Sequence, residues 1–257
     1  MDTEFSRHDV VRKRSGYTKR APASIIYKPG FDLDFTERLL GRRRRKVLPG
    51  ITGKRLLIQQ KRLRELIKPR VTWKELDIEH IDKTGLVLAN GMILKSRKLA
   101  RALEGAVKVV AFIATVGGKI DKEIDSLING GSLAHGYVAD ALGSGAVENL
   151  ADRFHTDVAR VQAFNNRTVG LRFSPGYCDW PLTDQQKLFA LLDNDSIGVE
   201  LGDTSLMAPR KSISGVFGIF DNKNGQPANV TYNPCRQCGK KDCIARRVDA
   251  MPPSPGR

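Results

Sequence analysis

The stretch RFSPGYCDWPLTDQ, residues Arg172 to Gln185, gathers rare residue types in a turn directly before a helix start. Pro175 fixes φ and removes a donor, while Gly176 allows a backbone conformation closed to other residues. Together they read as a turn that presents backbone groups to a ligand. Arg172 adds a planar fork suited to a carboxylate or phosphate. Tyr177 and Trp180 add flat faces for an adenine-sized ring or a cation. Thr183, with Gln186 three residues on, predicts a capping box, and Leu188, Leu191 and Leu192 form the apolar side of a short helix. The competing reading is a surface turn joined to an ordinary helix.

The segments on either side carry their own patterns. Residues 132–163 read as one long helix, because Val138, Leu142, Ala146, Leu150, Phe154 and Val158 recur every four residues. Gly136, Gly143 and Gly145 weaken that helix and predict another backbone or a ligand packed closely against it. Glu148, Asp152 and His155 share a face that suits either a metal or solvent. Downstream, SLMAPRKSISGVFGIF at 205–220 reads as a proline turn and then a strand with Ile213, Phe217 and Ile219 on one side. Gly215 and Gly218 leave gaps there for a ligand, a second backbone or a bulge.

Between Val71 and Gly118 the texture is that of strands. VTWKELDIEHI is followed by LVLANGMILK, with Asn90-Gly91 as a hairpin turn, and then by AVKVVAFIATVGG, a buried strand. Gly117 and Gly118 stand before the helix KIDKEIDSLI, where they fit either a simple turn or an anion cradle. Neither a full G-x-G-x-x-G nor a Walker spacing is present.

Composition bounds the class. The chain has 257 residues, 40% hydrophobic and 28% charged, which suits one large globular unit, or one domain with an appended tail. Its longest strongly apolar run, VVAFIATV at 109–116, is far short of the roughly 20 residues a membrane helix needs. With polar, basic residues 1–20 and no apolar segment behind them, this predicts a cytoplasmic protein with reduced thiols and no membrane partner. The formal charge of +15 is uneven, since residues 1–70 hold 20 Lys and Arg against 7 Asp and Glu. The rest of the chain is nearly neutral, which argues against a nucleic-acid-binding main domain. Arg42 to Lys46 and the basic amphipathic segment after it, with Leu56, Leu57, Leu63 and Leu66 at helical spacing, leave open a solvated face or a dock for an acidic partner. The expected division is a basic extension over 1–46, a main domain over 47–225 and a cysteine-containing tail over 226–257.

That tail holds Cys235, Cys238 and Cys243 in a C-x2-C-x4-C array, three of the four cysteines in the chain. Such spacing suits zinc or an iron–sulfur centre, with free or redox-active thiols and a disulfide as alternatives. Cys178, inside the opening stretch, is the only other cysteine. As a fourth metal ligand it would require the tail to fold back over that turn.

Three segments together give a family resemblance: AVENLADRFH at 146–155, the R-x-x-P-G-Y of Arg172 to Tyr177 with Pro181 beyond it, and the M-x-P-x-x-S-I-S-G of Met207 to Gly215. Over roughly residues 60–220 the chain resembles the S-adenosylmethionine-binding activation domain of cobalamin-dependent methionine synthase, in stand-alone form. The resemblance implies an α+β fold, a bent antiparallel sheet with flanking helices, and S-adenosylmethionine in a shallow groove. It implies that Arg172 takes the ligand's carboxylate and that backbone groups near Ser174, Pro175 and Gly176 hold adenine and ribose. Tyr177 would border the sulfonium, and Ser212, Ser214 and Gly215 would line the opposite wall. It also implies a methyltransferase component of methionine biosynthesis, with cobalamin on a corrinoid-binding partner subunit and one electron from a flavodoxin- or ferredoxin-type donor. No catalytic His or Glu is expected, because the task is to place methyl and cobalt in line. Where the family carries an acidic residue shortly before the arginine, this chain has Asn165, Asn166 and Arg167. Reactivation of a different corrinoid protein and a basic adaptor for nucleic acid or an acidic protein are the alternatives.

Overall fold

The computed structural model describes residues 23–41, 53–223, 226–228, 230–240, 243 and 246. The elements run β1 (Ala23–Ile26), α1 (Leu33–Leu39), α2 (Gly53–Leu66), β2 (Arg70–Ile81), β3 (Gly85–Leu88), β4 (Ile93–Lys95), α3 (Arg97–Leu103) and β5 (Lys108–Thr115). They continue with α4 (Lys119–Asn129), α5 (Leu133–Phe164), β6 (Arg167–Val169), α6 (Gln185–Leu191), β7 (Glu200–Leu201), β8 (Met207–Ala208) and β9 (Ser212–Asp221). Seven strands form an antiparallel sheet in the order β4-β3-β2-β5-β9-β6, and β1 pairs with β2 outside that path. β2 is long enough to serve two neighbours on one edge. Its start pairs with β1 and its end with β3, and a register shift between Ile78 and His80 marks a bulge within the β3 pairing.

The continuous apolar run of β5 follows from its position. Val110, Phe112 and Ala114 face one core cluster with α5, while Val109, Ala111 and Ile113 face a second with α3 and α6. A strand covered on both faces has no reason to alternate polar with apolar. The expected stripe of α5 lies wholly in the first cluster, and Phe112, Phe154 and Phe217 meet there with ring centroids 5.5–6.0 Å apart. Truncating any one of these rings to Ala costs about 3–5 kcal/mol. The α+β architecture expected from the sequence is the one observed.

The glycines of α5 are explained by packing. A Cβ at Gly145 would stand 2.6 Å from the carbonyl oxygen of Asp32, and the Asp32 N–H donates to the Gly145 carbonyl at 2.9 Å. Asp32 also caps α1, accepting from Phe35 N–H at 2.8 Å. Residues 23–41, expected within the basic extension, are therefore built into the sheet and the core. Their apolar and capping residues dock where no helical or strand period of useful length could announce them. In α2, Leu56 and Leu63 are buried and Leu57 is exposed. The expectations for Arg42 to Lys46 fall outside the described residues. No described helix is long and apolar enough to cross a membrane.

Candidate functional site

After α5 the chain turns through β6 and lays the segment 171–174 along β9. Phe173 and Val216 exchange two backbone hydrogen bonds of 2.8 Å. Gly215 permits this approach, because a Cβ there would lie 2.5 Å from the Phe173 carbonyl oxygen. Of the alternatives for Gly215, the second backbone is thus the one realised. The turn is closed by Tyr177 N–H to Ser174 O at 3.3 Å and Gly176 N–H to Trp180 O at 2.9 Å, with Gly176 at φ 85°. Cys178 is also left-handed, at φ 59°.

Asp179 fastens the turn to the start of α3. Its carboxylate accepts from Ser96 Oγ at 2.6 Å and Arg97 N–H at 3.0 Å, while Ser96 Oγ accepts from Leu99 N–H. Partial burial pushes the Asp179 pKa up, but the Ser96 hydroxyl and the backbone N–H groups of α3 outweigh it, so the carboxyl titrates below its usual range. Two expectations for this segment are corrected. Trp180 is no ligand face, since it is buried and its Nε1 donates to Asp184 at 2.9 Å. Nor does Thr183 cap the helix through a capping box. It lies in a 3-10 turn, Leu182–Asp184, and α6 begins after Asp184 with no side-chain cap. Asp184 is instead engaged by Trp180 and, at 2.7 Å, by Lys187.

Beside the turn lies an open groove enclosing about 560 Å³ of empty space, part of it open to solvent. Arg172 and Glu148 line it together with Ser174, Tyr177, Cys178 and Ile213, and the tail contributes Asn233, Pro234 and Cys235. The Arg172 side chain is only 3% exposed. Its Nη2 reaches Glu148 at 3.2 Å and Asp152 at 2.5 Å, and its Nη1 is buried with no hydrogen-bond partner among the described residues. Glu148 and Asp152 are therefore partners of Arg172 rather than part of a metal site, and Asp152 also keeps most of its side chain in solvent. Their acidic charge reaches Arg172 from α5, one turn apart, rather than from residues 165–167. His155 is turned away, with Nε2 2.7 Å from the Gly170 carbonyl oxygen and its ring edge-on to Phe217.

On β9 only Ile213 faces the groove. Strand alternation sends its neighbours to the other face, where Ser214 Oγ donates to Gln185 Oε1 at 3.3 Å and Ser212 Oγ lies 2.8 Å from Thr115 Oγ1. The groove is lined by Ile213 and residues 172–174, and Ser212, Ser214 and Gly215 are not among its lining residues. Pro175 and Gly176 shape the turn, and Tyr177, about half exposed, stands at the groove's mouth. The Gly117–Gly118 junction is a turn in which Gly117 N–H donates to Thr115 Oγ1. The first turn of α4 is occupied by its own Asp121, which accepts from Arg210 N–H.

The tail does fold back over the opening stretch. A 3-10 turn, Pro234–Gln237, starts from Asn233, whose side chain accepts from Cys235 N–H at 3.0 Å. Arg246 donates to the carbonyls of Cys235, Cys238 and Lys240 at 2.8, 3.0 and 2.6 Å. Arg101 lies 4.5 Å above the Tyr232 ring. Cys178 and Cys235 share the groove, and burial pushes the Cys178 thiol up, with Lys98 opposing and Cys235 and Cys238 adding to the rise. All four cysteines are free thiols. Among the described residues no three His, Cys, Asp or Glu side chains are arranged to hold a metal, so the structure joins tail to turn without assembling a ligand shell.

The fold is shared with the reactivation domain of cobalamin-dependent methionine synthase, and a family match spans the central part of the chain. Residues 104–226 match the family model described as the activation domain of vitamin B12 dependent methionine synthase. A crystal structure of the MetH reactivation domain bound to AdoHcy shares the fold, with a TM-score of 0.58 and 16% sequence identity, over 80% of this chain and 83% of that one. Comparison with curated protein sequences gave no significant match. The family match takes in α5, the turn and β9, and leaves Asn233, Pro234 and Cys235 outside it.

Proposed function

We propose that the Arg172 groove binds S-adenosylmethionine and that the chain reactivates a cobalamin-dependent methyltransferase of the methionine synthase type. The observation that carries this reading is the buried Arg172, with one nitrogen unpartnered among the described residues and an acidic neighbour, Glu148, in the same groove. A zwitterionic amino-acid end fits that pair. Its carboxylate satisfies Nη1, whose isolation otherwise costs about 1–3 kcal/mol, and its ammonium meets Glu148. The unwound backbone at Ser174 to Gly176 offers polar groups to adenine and ribose, and Tyr177 at the mouth offers a face to the sulfonium.

In this reading the chain does no acid–base work. Arg172 and Glu148 fix one end of the donor, and the turn fixes the other, so the methyl group is held at the open side of the groove. Cob(II)alamin on the partner, reduced by one electron from a flavodoxin- or ferredoxin-type donor, takes the methyl group from the sulfonium, giving methylcobalamin and S-adenosylhomocysteine. The test is to mix the purified chain with a cob(II)alamin methyltransferase, a one-electron reductant and S-adenosylmethionine, and follow the visible spectrum. Methylcobalamin should form with the native chain, and at least roughly 30-fold more slowly with Arg172→Ala at subsaturating donor, the loss of about 2 kcal/mol of binding. Equal rates with and without the chain would refute the reading.

A further inference from the structure

We infer that Cys178, Cys235, Cys238 and Cys243 together hold a thiolate-bound metal centre, zinc or an iron–sulfur cluster, which locks the tail over the mouth of the groove. Three observations converge on it. The chain has four cysteines in all, and the one remote in sequence from the tail, Cys178, lines the same groove as Cys235. Free thiols gathered in this way, with no disulfide among them, have the composition of a soft-metal ligand set.

The second observation is conformational. Only Asn166, Cys178 and Ser205 among the described non-glycine residues have positive φ. Asparagine takes that region readily, whereas a cysteine there is strained relative to glycine. Glycine would make this turn more cheaply, as it does at Gly176 with φ 85°. A strained residue retained where a smaller one fits points to its side chain, here the thiol.

The third is the shape of the tail. The guanidinium of Arg246 gathers the carbonyls of Cys235, Cys238 and Lys240, and Cys238 N–H approaches the Cys235 carbonyl at 3.4 Å. This draws C-x2-C into a closed loop and adds a permanent positive charge beside thiols that must ionise to bind metal. Among the described residues no three of these thiols are arranged as a ligand shell. That is the ordinary state of thiolate sites, whose shells close as the metal enters and the ligands lose their protons.

The full chain, purified without oxygen, is to be analysed for zinc, iron and acid-labile sulfide, as isolated and after reconstitution with zinc(II) alone or with ferrous iron and sulfide. About one colourless zinc per chain identifies a zinc centre, and iron with sulfide and visible charge-transfer absorption identifies a cluster. In either case Ser replacement of Cys235, Cys238 or Cys243 should remove at least half of the metal. Cys178→Gly should remove as much while circular dichroism stays native, because glycine suits the backbone at that position. Metal no higher than in the fourfold Cys→Ser variant under both reconstitutions would overturn the inference, as would full retention in Cys178→Gly or a Cys178–Cys235 disulfide in the anaerobic protein. These readouts do not involve S-adenosylmethionine, so their failure leaves the groove's assignment to its own tests.

Discussion

The two walls of the groove are built differently. The inner wall, residues 171–180, is held by backbone bonds to β9, by its own turn bonds and by the Asp179 carboxylate on α3. The outer wall, Asn233 to Cys235, is held to the domain by contacts such as Arg101 over Tyr232, and to itself by Arg246. The inner wall is therefore bonded into the sheet through its backbone, whereas the outer wall has backbone bonds within its own turn and a side-chain contact to the domain. The difference predicts where damage spreads.

The largest effect should come from wedging the inner wall off β9. Gly215→Ala places a methyl against the Phe173 backbone, and neither strand can yield cheaply. Denaturant titration should show a loss of about 2 kcal/mol, together with weakened ligand binding. An unchanged midpoint would mean that the 171–174 segment is not seated as described.

A smaller loss, about 1 kcal/mol, is expected for Asp179→Asn, which weakens the cap that ties the turn to α3. The folded pKa of Asp179 is depressed. Its contribution is therefore complete above the unfolded carboxylate range and disappears as pH falls through the folded value. Native and variant stabilities should accordingly differ by a constant amount near neutrality and converge in acid. A gap that persists below the folded pKa would place the effect elsewhere. The smallest effect is expected at the outer wall. Arg101→Ala removes a cation–π contact worth about 0.5–1 kcal/mol, so limited proteolysis beyond residue 228 should accelerate while the global melting temperature barely moves. A global loss as large as that of Gly215→Ala would erase the distinction between the walls.

The same contrast governs what the sequence makes legible. The four-residue stripe of α5, the Asn90-Gly91 hairpin and the apolar run of β5 are periodic or local signals, and each appears where expected. Gly215 was legible as a gap, and Arg172 as an anion fork. Partners that depend on tertiary approach were not. Glu148 and Asp152 gain their basic partner only when the turn carries Arg172 onto α5. Trp180 looks like a ligand platform until Asp184 takes its N–H. The serines of β9 carry the family motif, but alternation places Ile213 between them at the groove. Spacing of one helical turn between Glu148 and Asp152 was the available signal, and by itself it could not name a basic partner rather than water.

The central claim is that Arg172 and Glu148 recognise the amino-acid end of S-adenosylmethionine, and calorimetric titration tests it most directly. The native chain should bind S-adenosylmethionine, and it should bind methylthioadenosine, which lacks the carboxylate and ammonium, at least roughly 100-fold more weakly, a difference of about 3 kcal/mol. Equal affinity for the two, or no binding of S-adenosylmethionine, would contradict the account.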